Sequence, residues 1–154
     1  MRLGQDAQRV VMEQRLGFVA TVNADGTPNL SPKGTVTVLD DEHLVFGDIR
    51  SPRTIENLRR NPALEINVVD PISRKGYRFR GRATVVDAGP RFDELLAFYR
   101  SHGSTNPIQT IVVVDLVRVE PVVSPAYDQG ASEEEIRAQW RRYVAALDGS
   151  DAAR

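Results

Sequence analysis

The chain has 154 residues, of which 41% are hydrophobic and 27% charged, with no cysteine and a formal net charge of −1. This length and balance predict one soluble domain with a real core, and the near-neutral charge offers no general attraction to nucleic acid or an anionic membrane, so any anion site must be local. The missing cysteines exclude disulfides, thiolate nucleophiles, cysteine-ligated zinc and thiol-assisted flavin chemistry.

Leu3, Ala7, Val10 and Val11 fall at helical spacing, which predicts an amphipathic helix over residues 3–14 ended by Gly17. These opening residues lack the uninterrupted apolar core of a signal peptide, and no stretch approaches the length needed to span a bilayer. A cytoplasmic location is therefore expected. Phe18 to Val22 reads as a strand, and Ala24-Asp25-Gly26 as a hairpin turn into a second strand near Thr27. Ser31-Pro32-Lys33-Gly34 interrupts that second strand as a bulge, an edge or a ligand contact, and pairing resumes at Thr35 to Leu39. Asp40-Asp41-Glu42 makes the next turn and His43 to Gly47 the third strand.

The following segment, GDIRSPRTIENLRRNP, carries the strongest local signals: Ser51 as N-cap, Pro52 at the first helical position and Asn61-Pro62 as a stop. Ile55 and Leu58 form its apolar stripe, so the helix lies on a core with its polar side outward. Arg50 and Arg53 stand where free N–H groups and the helix dipole already concentrate positive potential, which is the wrong sign for stability. Either an anion binds there, held by first-turn N–H groups, Ser51, Thr54 and Arg53, or both arginines point into water at a cost of roughly half a kcal/mol each.

Beyond this helix, Leu64, Ile66 and Val68 alternate with polar residues as a strand, Asp70 to Gly76 turns, and Tyr77 and Phe79 alternate with arginines in a strand that runs on to Asp87. Phe92, Leu95, Leu96 and Tyr99 mark a helix closed by Gly103. Thr110 to Val119 is a strand whose Ile111 to Val114 run predicts cover on both faces, as in a closed barrel. A loop over 121–130 carries Tyr127 and Asp128. Ser132 and Glu135 form a capping box for a last helix, whose stripe Ile136, Trp140, Tyr143, Val144 and Leu147 must bury against its own subunit or a partner. Residues 149–154 read as a frayed end. The division is a barrel domain over 1–130 and a C-terminal helix with its tail over 131–154.

His43 and His102 have no carboxylate or second histidine at ligand spacing and read as structural, so no metal site is expected. No nucleophile elbow or phosphate-cradling glycine motif is present, which removes hydrolase and nucleoside-triphosphatase readings. Arg74, Lys75, Arg78, Arg80 and Arg82 read as a solvated strand face or, alternatively, a second anion subsite. In a barrel of short strands the second strand's middle and the third strand's end are neighbours, which would bring Lys33 and Gly34 near the Ser51–Thr54 anion site.

The succession of FVATVNADGTPNLSPKG, VTVLDDEHLVFGD, SPRTIENLRRNP, ALEINVVD and YRFRGRATVV resembles the pyridoxamine 5'-phosphate oxidase-like family of FMN-binding split barrels, over roughly Gln14 to Val119. The resemblance implies a mainly β fold, a six-stranded antiparallel split barrel of Greek-key-like order with flanking helices. It also implies a homodimer with flavin at the subunit interface. Ser31, Pro32, Lys33 and Gly34 would line the isoalloxazine and ribityl portion with Asp48 and Ile49 beside them. Ser51, Arg53 and Thr54 would hold the phosphate, and Asn57 stands one turn further on. Arg78, Arg80, Tyr127 or Trp140 of the partner subunit would complete the site.

The chain lacks the C-terminal Arg-x-His segment of the true oxidases and ends in LDGSDAAR, which argues against vitamin B6 oxidation. The expectation is a flavin-dependent oxidoreductase acting on a small molecule with a nicotinamide donor, its catalytic side chains unassigned. The alternatives are a deazaflavin-dependent reductase of the same fold and a non-enzymatic flavin carrier. Neither nucleic acid nor membrane is expected as a partner.

Overall fold

The computed structural model describes residues 1–149; of the expected frayed end at 149–154, residues 150–154 lie outside the described residues. Four helices, α1 (Gln5–Gln14), α2 (Pro52–Arg60), α3 (Gly89–Ser101) and α4 (Glu133–Leu147), surround seven strands. The strands are β1 (Gly17–Val22), β2 (Pro28–Lys33), β3 (Thr37–Val38), β4 (His43–Asp48), β5 (Ala63–Asp70), β6 (Lys75–Val86) and β7 (Thr110–Val123). They form one antiparallel sheet in the order β2-β1-β5-β6-β7-β4-β3. No described helix is long and apolar enough to cross a membrane.

The order of the strands dictates the curl of the sheet. β2 and β3 lie at opposite edges, yet only residues 34–36 separate them in sequence. Four Cα–Cα steps from Lys33 to Thr37 reach at most about 15 Å. Seven flat strands at about 4.8 Å spacing would hold the two edges roughly 29 Å apart. The sheet therefore rolls until its edges approach, as a split barrel.

This corrects the expected count of six strands. The single interrupted second strand is two strands, and Gly34 to Val36 is where the chain leaves one edge for the other. Pro28 and Pro32 can occupy β2 because an edge strand needs no donor on its outer side. Thr35 then substitutes its side chain for a ladder: its hydroxyl donates to the Gly47 carbonyl at 2.5 Å, and the Gly47 N–H lies 3.0 Å from the same oxygen.

Two apolar layers hold the roll. Inside, Val19, Leu44, Phe46, Ile66, Phe79 and Val112 pack together beneath Ala7, Val10 and Val11 of α1. Outside, Val45, Ile111 and Val113 are covered by Leu95 and Tyr99 of α3, which is why the Ile111 to Val114 run is apolar on both faces. A bulge between Arg80 and Gly81 bends β6 against β7, where a Cβ on Gly81 would stand 2.7 Å from the Asp115 carbonyl oxygen.

Other details differ from expectation. α1 is closed by Arg15 in the left-handed region (φ 52°), not by Gly17, which starts β1. β7 continues to Val123 through Pro121; β4 pairs with β7 only up to Asp115, so this proline faces no second ladder. The buried face of α2 includes Thr54 and Asn57 besides Ile55 and Leu58.

α4 divides its stripe. Ile136 is buried against its own chain, and the docking is reinforced by Lys75–Glu133 at 3.0 Å, Arg137–Asp70 at 3.0 Å and the Arg74 guanidinium 3.5 Å over the Trp140 ring. Further along, Tyr143, Val144 and Leu147 are exposed, Leu147 at 70%.

Candidate functional site

β4 carries the chain from the barrel interior to the start of α2, and its last residue, Asp48, points inward with Leu44 and Phe46 by strand alternation. Lys33 ends β2 opposite Gly17, where a Cβ would meet Val36 and Ile66 of the core, so the lysine shares that inward face. The two side chains meet there: Lys33 Nζ lies 4.0 Å from Asp48 Oδ1, with the residues only 5% and 7% exposed. This distance is an ion pair without a hydrogen bond, and neither atom has a hydrogen-bond partner among the described residues. Burial pushes the Lys33 ammonium below its ordinary range, and the Asp48 charge offsets only part of that. Two buried charges with unused hydrogen-bonding capacity are costly unless something else supplies the bonds.

Four residues on, α2 starts as the sequence predicts, with Ser51 at the N-cap and Pro52 in the first turn. The Ser51 hydroxyl makes no capping bond, so it and the first-turn N–H groups remain free to receive an anion. Arg50 and Arg53 are exposed, and among the described residues neither has an ion-pair partner. By contrast, Arg59 pairs with Asp87 at 2.6 Å at the other end of the helix. Arg53 and Arg60 also line a cleft of about 370 Å³ between α2 and the β1–β2 turn, where Asp25 faces them.

The remaining predicted positions are distributed as follows. Ser31 is half-buried, while Pro32, Gly34 and Ile49 are exposed beside the Lys33–Asp48 pair in sequence. Thr54 is buried beneath α2. Asn57 is already committed: its amide donates to Thr21 Oγ1 and Asn23 Oδ1, both at 3.0 Å, and its oxygen accepts from Arg60 at 2.9 Å. It ties α2 to β1. Arg78 and Arg80 are exposed and share Glu65, the closer contact being Arg80 at 2.7 Å, so part of the basic run is neutralised on its own strand face.

Sequence reasoning missed two supports of this site. Thr35 clasps Gly47 next to Asp48, and the Tyr99 hydroxyl donates to the Thr35 carbonyl at 2.8 Å from α3. Burial pushes the Tyr99 phenol well above its ordinary range, so it stays a donor. Tyr99 is legible only as a stripe residue, and nothing local marks Thr35. His43, read as isolated, is held between Asp40 at 2.7 Å and Asp115 at 2.8 Å.

The sequence profile of the family described as Pyridoxamine 5'-phosphate oxidase matches residues 3–122. The chain belongs to the pyridoxamine 5'-phosphate oxidase family. The match takes in α1 and all seven strands of the barrel, ending inside β7.

Among solved structures, this family member is similar to HupZ of Group A Streptococcus at 25% identity and a TM-score of 0.70, covering 79% of this chain and 95% of that one. At lower identity, which speaks to the fold alone, it superposes on an FMN-binding protein from Syntrophomonas wolfei subsp. wolfei (16%, TM-score 0.63, 77% and 84% covered). It also superposes on an F420 reductase (23%, TM-score 0.59, 77% and 98% covered). No curated protein sequence matches the chain.

Proposed function

We propose that this chain is a cytoplasmic, homodimeric flavoprotein that binds FMN and serves as an oxidoreductase for a small electron-poor molecule, with a reduced nicotinamide as donor. The observation that carries this reading is the orphaned Lys33–Asp48 pair beside a helix N-terminus whose serine and two arginines are uncommitted. A flavin phosphate answers the charge at Ser51, Arg53 and Thr54, and the flavin's polar ring edge answers the unmet donors and acceptors near Ser31–Gly34, Asp48 and Ile49. Bound FMN supplies the two-electron redox chemistry; the protein supplies placement and electrostatics. In this reading Lys33 holds positive charge at the ring edge, Asp48 keeps the ammonium in place, and the Thr35 clasp fixes the strand that carries Asp48. Family membership and the FMN-binding structural relative support the same cofactor.

A deazaflavin is the second reading, favoured by the likeness to an F420 reductase. An absorbance spectrum of the freshly purified protein, with mass identification of what denaturation releases, separates the two. FMN at near one per subunit is the expected result. A protein that stays colourless with FMN and takes up only a deazaflavin keeps the fold and overturns the cofactor. Absence of turnover with reduced nicotinamide and an artificial acceptor would leave a carrier.

A further inference from the structure

The β5–β6 turn, residues 70–75, is gripped from outside by the C-terminal part of the chain. Tyr127, in a short 3-10 turn (Pro125–Gln129), donates its hydroxyl to the Ser73 carbonyl at 2.6 Å, and its ring centroid lies 4.5 Å from Lys75 Nζ. α4 then adds Glu133 on Lys75, Arg137 on Asp70 and the Trp140 ring beneath the Arg74 guanidinium. The two grips differ in kind. Tyr127 follows closely on β7, and the Ser124 N–H extends that ladder to the Arg74 carbonyl at 3.0 Å. α4 is attached mainly through charge, because Ile136 alone among its described side chains is buried.

The seam under α4 is correspondingly polar. A cavity of about 200 Å³ lies between α4, α1 and the turn, and six charged side chains line it: Asp6 and Arg9, Asp70 and Lys75, Glu133 and Arg137. Beside the Trp140 ring, Arg74 Nε is buried with no hydrogen-bond partner among the described residues, a group that water would satisfy once the helix lifts. The helix also has what it needs to move as a unit. Its capping box joins Ser132 and Glu135, and Glu133 pairs with Arg137 at 3.1 Å, all within α4 and its cap. Gly130, at φ 87°, separates it from the 3-10 turn in a conformation that favours glycine. We propose that α4 is a charge-held strap that swings about Gly130, leaving and rejoining the β5–β6 turn while the barrel stays folded, so that ionic strength sets how far Arg74 and Lys75 are uncovered.

The strap and the turn share no residue with Ser31–Gly34, Asp48, Ile49 or the anchor on α2, so the test stands apart from flavin binding. Native-state amide hydrogen exchange of the full chain, at one protein concentration, reads the opening directly: a released helix of 15 residues is marginal in water and exchanges, whereas the strands wait for global unfolding. Amides from Arg137 to Leu147 are expected to exchange about 100-fold faster than those of β5, β6 and β7. Raising NaCl from 0.1 to 1 M shortens the screening length from about 10 Å to about 3 Å, and is expected to speed α4 exchange roughly two- to five-fold without speeding the strands. Trp140, the single tryptophan, reports the same change as a red shift of its emission. Glu133→Gln, and Asp70→Asn, which keeps an acceptor for the Ile72 N–H, are each expected to speed α4 exchange at 0.1 M NaCl and to blunt its salt dependence. Exchange of α4 at the rate of the strands, a salt effect shared equally by strap and barrel, or α4 exchange unaltered in both variants would each overturn the proposal.

Discussion

Lys33 and Asp48 show how a charge can be informative through what it lacks. A buried pair at 4.0 Å with no supporting hydrogen bonds contributes little to stability, because the Coulomb attraction roughly offsets the desolvation of both ions. Removing one partner is different, since the other charge is then stranded. Lys33→Met is therefore expected to destabilise the flavin-free protein by on the order of 3 kcal/mol, and Lys33→Met with Asp48→Asn to recover most of that. Urea unfolding of the two variants checks this, and additive losses would mean the pair is not coupled. Asn57 makes the complementary point: its residue type suits a phosphate contact, yet its amide is used to fasten α2 to Thr21 of β1 and to Asn23, and its oxygen accepts from Arg60 of its own helix.

Among the elements, α2 was the most legible in sequence, because Ser51, Pro52 and Asn61-Pro62 act through local backbone chemistry that needs no knowledge of the fold. The alternating strands β5 and β6 were legible for the same reason. The split of the second strand into β2 and β3 was not, because it follows from closure of the roll and from the Thr35 side chain bonding to a strand twelve residues away. The end of α1 at Arg15 escaped because Gly17, the local helix breaker, is required instead where β1 passes under Val36. The carboxylate clamp on His43 escaped for a similar reason, since Asp115 reaches it only through the β4–β7 register.

That histidine makes a pH prediction at the level of elements. Burial opposes its protonation, but bonds to Asp40 and Asp115 outweigh this and raise its pKa above the ordinary value. A raised pKa means stabilisation that is fully present below about pH 6.5 and lost as pH rises through the folded value. The gap in urea midpoint between the natural protein and His43→Gln is therefore expected to be wider at pH 5.5 than at pH 9. A gap independent of pH would show that the clamp does not depend on charge.

At the scale of the whole molecule, the ion pairs and the ring contact that hold α4 to its own barrel come from its first half, at Glu133, Arg137 and Trp140. Tyr143, Val144 and Leu147 leave an apolar run at 53%, 47% and 70% exposure, which matches an element shared with a second copy. For the homodimer proposed above, Val144→Glu together with Leu147→Glu is expected to shift the protein from dimer to monomer in sedimentation velocity, with the circular dichroism spectrum unchanged because neither side chain supports the fold. A dimer that persists in this variant would place the subunit contact elsewhere.

In the proposed function the N-terminus of α2 anchors a flavin through its phosphate, and calorimetric titration of the flavin-free protein with FMN and with riboflavin tests this most directly. FMN should bind about 100-fold more tightly than riboflavin; Arg53→Ala should cost FMN about 1.5–3 kcal/mol, the scale of a charge-assisted contact, and leave riboflavin unaffected. Equal affinity for the two flavins, or FMN binding indifferent to Arg53→Ala, would contradict the account.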